Sequence, residues 1–169
     1  MARIEVTNLS KRYETELGEL LRARGLKLAL AESCTGGLIA DRITDIPGSS
    51  DYFIGGVVAY AYEAKVGLLN VSWDTLKAYG AVSRETVLEM ARGARKVFSA
   101  DLAISVSGIA GPGGGMPGKP VGTTWFGLST ADGEWTRKLI WEGNRRANKE
   151  SSADAALKFA LDYLRGEIE

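Results

Sequence analysis

Stretches of helical periodicity alternate with short apolar runs along the whole chain, and this alternation constrains the fold more than any other feature. Tyr13, Leu17, Leu20 and Leu21 share one helical face, and Gly25 closes that segment. Residues 26–31 form an apolar run of buried-strand length, and 35–46 reads as a helix with Leu38, Ile39, Ile43 and Ile46 inward. A second strand is expected over 57–62, followed by helical stretches over 63–69 and 73–79, the latter led by Ser72 as N-cap. Ser83 caps the clearest element, a helix in which Val87, Met90, Ala91, Ala94, Val97 and Phe98 recur at i, i+3, i+4, i+7. A third strand spans 102–106, a Gly/Pro loop 108–120 and a fourth strand 121–130. Asp132-Gly133 is a type I′ hairpin signal, which pairs a strand over 135–141 antiparallel with the fourth. The last helix, opened by residues 143–146, carries Ala153, Ala156, Leu157, Ala160, Leu161 and Leu164 on one face.

Strands interleaved with helices predict an α/β protein, a three-layer α/β/α sandwich. The hairpin makes its sheet mixed, though mostly parallel. No linker, low-complexity tract or repeat period divides the chain, so residues 1–169 are expected to form one domain. At this size a domain hides roughly 70% of the surface its unfolded chain exposes.

Counts of single residue types then exclude whole classes of chemistry. The chain has no histidine and one cysteine, Cys34. A Ser-His-Asp triad, a Cys-His pair, a histidine-ligated zinc, an intramolecular disulfide and a thiolate cage are all excluded within one chain. Proton transfers fall to Lys, Tyr, Asp or Glu. Lys plus Arg and Asp plus Glu are both 21, so no net field draws nucleic acid or anionic lipid. No apolar run approaches the roughly 18 residues that cross a bilayer. Residues 1–9 lack a basic-then-apolar signal pattern, and a cytoplasmic location is expected.

Two strands run into unusual loops, and open α/β sheets bind ligands outside the carboxyl ends of their strands. The first loop, Glu32-Ser33-Cys34-Thr35-Gly36-Gly37, turns through small polar residues into a helix. Its unpaired N–H groups suit a phosphate or a developing oxyanion. Alternatively, Ser33 or Thr35 merely caps the helix, the glycines allow close packing, and Cys34 is a small buried side chain rather than a reactive thiol. The second loop, Ser105 to Gly115, reaches the same crevice if the two strands are neighbours. Within it Gly113, Gly115 and Gly118 match G-x-G-x-x-G, and 113–119 matches G-x-x-x-x-G-K. Both matches fail in context, because Pro120 offers no hydroxyl and a strand pattern follows where each motif needs a helix. Tyr60-Ala61-Tyr62-Glu63-Ala64-Lys65 lies where a strand passes into a helix. Lys65 is either a solvated surface charge or, if desolvated, a base able to activate a hydroxyl. Arg145 and Arg146 either clamp an anion or remain in water.

Six motifs in one order carry a resemblance. They are Ala31-Glu32-Ser33-Cys34-Thr35-Gly36-Gly37, Ile46-Pro47-Gly48-Ser49-Ser50, Glu63-Ala64-Lys65, Gly80-Ala81-Val82-Ser83, Ser107-Gly108-Ile109-Ala110-Gly111-Pro112 and Lys119-Pro120-Val121-Gly122-Thr123. Over roughly residues 10 to 165 the chain resembles the CinA carboxy-terminal domain family. The resemblance implies a metal-independent nicotinamide-nucleotide amidase without cofactor. It would convert nicotinamide mononucleotide (NMN) and water to nicotinic acid mononucleotide and ammonia, in pyridine nucleotide recycling. Family relatives further imply a homo-oligomer. The molybdopterin-binding-like domain that precedes this one in competence-damage proteins has no counterpart in these 169 residues.

Carried over by position, Ser33 is the nucleophile, Lys65 its paired base, Tyr60 a possible proton relay and Arg145 the Gly-x-Arg substrate contact. Cys34, Thr35 and Gly36 fall at the oxyanion turn, while Ser107, Gly108 and Thr123 are candidates for the ribose phosphate. Relatives often read Tyr-Ser-Asn-Glu-Ala-Lys where this chain has Ala61 and Tyr62. The rival reading is a non-catalytic nucleotide-binding or regulatory module. A phosphoester or pyrophosphate hydrolase would want clustered carboxylates for magnesium, and Glu32 and Asp41 stand too far apart in sequence to suggest one.

Overall fold

The sheet is built from strands whose two faces carry residues of different size. In the computed structural model, which describes residues 7–168 and side chains from Tyr13 onward, β1 (Leu28–Glu32) is central and buried throughout. Leu28 and Leu30 point to one face, Ala29 and Ala31 to the other, as the period-2 geometry of a strand requires. The sheet order is β2 (Phe53–Val58), β1, β3 (Leu102–Gly108), β4 (Thr123–Thr130), β5 (Glu134–Ile140). β1 pairs parallel with β2 and β3, whereas β4 is antiparallel to both β3 and β5. Four of the five strands therefore run one way and β4 alone runs back.

The large-residue face, continued by Leu102, Ile104, Val106, Phe126 and Leu128, packs against α1 (Thr7–Arg24), α2 (Leu38–Thr44) and α6 (Arg145–Arg165). The small-residue face, with Ala29, Ala31 and Ala103, receives α3 (Tyr62–Leu69), α4 (Trp73–Tyr79) and α5 (Arg84–Val97). Small side chains there let α5 lie close, and a Cβ added at Gly127 would meet the Val87 carbonyl at 2.5 Å. The result is the expected three-layer α/β/α sandwich with a mixed sheet. Among the described residues no helix is long and apolar enough to cross a membrane. The signal reading of residues 1–9 lies largely outside the described residues.

Local chemistry explains both the agreements and the departures. Ser72 Oγ accepts from the Asp74 N–H and Ser83 Oγ from the Thr86 N–H, so both expected caps are made. Val87, Met90, Ala91 and Ala94 are fully buried, but Val97 is 57% exposed because the helix ends there at the surface. β2 begins four residues before the expected 57, and Tyr60 and Tyr62 lie beyond it. The hairpin forms, but its turn is not type I′: Asp132 has no positive φ, and its N–H donates instead to Thr130 Oγ1. The connection spans residues 131–133. Strand β1 starts at Leu28, and α2 starts at Leu38, three residues after the expected Thr35.

Candidate active site

The late start of α2 decides what the first loop can do. Gly37, left-handed at φ 97°, is the N-cap, and neither Ser33 nor Thr35 caps the helix. The cap is Glu32, at the end of β1. Its buried carboxylate accepts from the N–H groups of Gly37 (3.0 Å), Ile39 (3.2 Å) and Ala40 (2.9 Å). Those helix N–H groups are therefore taken by the protein itself and are closed to an oxyanion or phosphate. Residues 33–37 form a turn ahead of the helix. In it the Gly36 N–H donates to the Ser33 carbonyl and the Leu38 N–H to that of Thr35. Glu32 escaped the sequence reading as a structural group. Its only signal was a lone acid five residues before a Gly N-cap, outside the usual capping spacing.

β1 and β3 are neighbours, so the two unusual loops do meet. Between them opens a cavity of about 280 Å³ lined by Ser33, Cys34, Tyr60, Lys65, Ser107, Gly108, Arg145 and the apolar Ala81, Val82, Ile109 and Ala110. The remaining candidates lie apart from it. Thr35 and Thr123 are buried outside the cavity lining, the latter with its hydroxyl on the Pro120 carbonyl. Gly36 faces Lys149 on α6 instead. Ala81 and Val82 carried no chemical signal of their own in the sequence, beyond leading into the Ser83 cap. A larger groove of about 590 Å³, beside β5 and α6, contains Lys158, but that amine is bound to Asp162 and faces no nucleophile.

The centre of the cavity is Lys65. It is fully buried on α3, and its Nζ lies 3.0 Å from Ser33 Oγ, 2.7 Å from the Ala59 carbonyl and 3.1 Å from the Tyr60 carbonyl. Among the described residues no carboxylate pairs with it. Burial disfavours the ammonium and brings its pKa from the ordinary 10.5 down to about 8, against a smaller upward pull from Cys34. As an amine, Lys65 keeps two N–H groups for the two carbonyls, and its lone pair remains for the Ser33 O–H. The solvated-lysine alternative is thus excluded by position.

Cys34 follows the nucleophile candidate in sequence but not in chemistry. Burial pushes its thiol up to about 12, so it stays protonated at neutral pH. The Tyr60 phenol is 60% exposed and accepts from Arg145 Nη2 at 3.0 Å, while Arg145 Nη1 donates to the Gly111 carbonyl at 2.8 Å. Tyr60 meets the Lys65 amine through its carbonyl, while its hydroxyl is engaged by Arg145 rather than by the lysine. Asn148, a further residue missed in sequence, donates to the Ala110 carbonyl and accepts from the Gly143 N–H, tying the second loop to α6.

Fold and site together define an α/β protein with a buried serine–lysine pair at the carboxyl ends of its parallel strands. The chain belongs to the CinA C-terminal domain family, whose model matches residues 10–164. It is 52% identical over 147 residues to a protein of Enterobacter agglomerans named nicotinamide-nucleotide amidohydrolase PncC, covering 86% of this chain and 90% of that one. It is also 52% identical over 151 residues to a putative competence-damage inducible protein of Halothermothrix orenii, covering 89% of this chain. There it spans only 37% of the relative's length. A CinA superfamily structure from Klebsiella pneumoniae superposes with a TM-score of 0.90 at 34% identity, covering 93% of this chain and 98% of that one. The structure of a competence/damage inducible protein, CihA, from Agrobacterium tumefaciens gives 0.88 at 37% identity, covering 92% and 95%.

Proposed function

We propose that the protein is an amidohydrolase that hydrolyses the carboxamide of NMN to nicotinic acid mononucleotide and ammonia, by a Ser33–Lys65 mechanism. The observation that carries this reading is the 3.0 Å contact between Ser33 Oγ and a buried lysine amine that has no carboxylate partner among the described residues. The similarity to a nicotinamide-nucleotide amidohydrolase over nearly that protein's full length supports the choice of substrate.

Lys65 Nζ accepts the Ser33 proton as Oγ attacks the carboxamide carbon. The N–H group of Cys34, which lines the cavity, stabilises the oxyanion, a role typically worth about 3 kcal/mol per donor. The C–N bond then breaks as the Lys65 ammonium returns its proton to the departing nitrogen, releasing ammonia. Water attacks the resulting Ser33 ester and gives a proton to Lys65, which returns it to the departing Ser33 oxygen as the acid is freed and the amine restored. Ala81, Val82 and Ile109 offer an apolar wall to the pyridine ring. Arg145, with two of its five N–H groups spent among the described residues, stands at the mouth to meet the phosphate.

Ammonia release from NMN, followed with and without EDTA, tests the assignment. We expect turnover insensitive to chelator. We also expect loss of activity in Ser33→Ala to background, and Cys34→Ala within a few-fold of the parent. A dead Cys34→Ala beside an active Ser33→Ala would replace the serine mechanism with a thiolate one, and an inactive parent would favour the non-catalytic module.

A further inference from the structure

Glu32 stands next to Ser33, is 1% exposed and does not line the cavity, so it cannot touch a substrate there. It has no cationic partner among the described residues. Its carboxylate is satisfied by the three backbone N–H groups at the start of α2, in charge-assisted bonds. A buried carboxylate is costly unless fully hydrogen-bonded, so this arrangement tolerates little displacement on either side.

The main chain of the same residue is tied to the other half of the site. The Glu32 carbonyl accepts from the Ala59 N–H at 2.8 Å, and the Ala59 carbonyl is one of the two that hold Lys65. The next N–H, that of Ser33, donates to the Val106 carbonyl of β3 at 3.0 Å. Glu32 thus joins three things: the strand end beside the lysine, the turn that carries Ser33, and the helix that follows. Residues 33–36 are spanned by one side chain reaching from β1 to α2. Within that span the N–H groups of Cys34 and Thr35 have no backbone acceptor among the described residues, whereas those of Ser33 and Gly36 do.

We infer that Glu32 is a positioning residue for the hydrolytic reaction. Its carboxylate locks the first turn of α2, and so holds the Ser33 hydroxyl and the Cys34 N–H group in register with Lys65. This rests on the serine–lysine reading above. Gln is nearly isosteric, but it sets an NH₂ against N–H donors, so one of the three bonds becomes a repulsion and the turn must shift. Asp keeps the charge but is one methylene short of reaching all three donors.

The test compares the parent with Glu32→Gln and Glu32→Asp in two assays, well below the melting temperature of each. One is steady-state hydrolysis of NMN. The other is the rate at which a small alkyl fluorophosphonate labels Ser33, which needs the activated hydroxyl but no recognition of NMN. For folded Glu32→Gln we expect kcat to fall about a hundredfold with KM within about threefold, the size of effect a 1 Å misplacement produces. The labelling rate should fall in parallel, and Glu32→Asp should recover part of both. A folded Glu32→Gln whose kcat and labelling rate stay within twofold of the parent, with only its melting temperature lowered, would make Glu32 a helix cap and overturn the proposal alone. If Glu32→Gln does not fold, Glu32→Asp decides by the same criteria, and failure of both to fold would also overturn a positioning role in favour of a folding one. A parent whose Ser33 resists the phosphonate would overturn the serine–lysine reading and this proposal with it.

Discussion

In the proposed mechanism the chemistry turns on Lys65, which acts as a base only without its extra proton. Its folded pKa of about 8 means that kcat/KM should rise with pH through that value and level off above it, since the amine, not the ammonium, accepts from Ser33. Lys65→Arg keeps a positive charge yet does not deprotonate in this range, so it should be as inactive as Lys65→Ala even at pH 9.5. An active Lys65→Arg, or a KM defect with kcat preserved, would make Lys65 a clamp for substrate instead. Binding of NMN in a Ser33→Ala background, measured with and without Lys65→Arg, separates loss of the base from steric misfit. The pairing itself was not legible from spacing, since Ser33 and Lys65 are 32 residues apart. Only the family resemblance joined them, and the carbonyls that hold the amine belong to the backbone, which no residue pattern announces.

At the level of elements, legibility followed how much of the packing each segment carries in its own side chains. α5 was readable because its cap and its 3.6-residue stripe are both local. β2 was misplaced because its middle is Gly55-Gly56, where packing demands the absence of a side chain. A Cβ at Gly55 would lie 2.8 Å from the Phe98 ring, and one at Gly56 3.1 Å from Leu30 Cβ. The start of α2 was misread because Ser33 and Thr35 look like caps, while the real cap reaches around from the preceding strand. The same reasoning yields a prediction for Gly93, on α5. A Cβ there would sit 2.0 Å from the Leu69 carbonyl at the end of α3, the helix that carries Lys65. Gly93→Ala gains helix propensity but must push the two helices apart, so it should destabilise the protein by about 2 kcal/mol, in the range of core overpacking. Urea unfolding measures this. Unchanged stability would mean that α3 can slide without cost.

For the molecule as a whole, the buried Lys65 amine is a stability cost that depends on pH. The folded pKa, about 8, lies below the unfolded value of 10.5, so between those limits the unfolded chain binds more protons and stability rises with pH. The penalty is complete below pH 8, where it amounts to about 3 kcal/mol at most. Lys65→Met, which abolishes the titration, should therefore gain stability relative to the parent as pH is lowered from 10.5 to 8. A parent–variant difference that stays flat across this window would show that the buried amine is not destabilised. The three-partner burial of Lys65 also has a calorimetric consequence. Near pH 9 the native amine is mostly neutral and the released one mostly charged, so each molecule that melts draws close to one proton from its buffer at this residue. The measured heat of melting then includes the buffer's own heat of ionisation. It should differ between an amine buffer and a borate buffer at the same pH, and the part of that difference due to this residue should vanish in Lys65→Met.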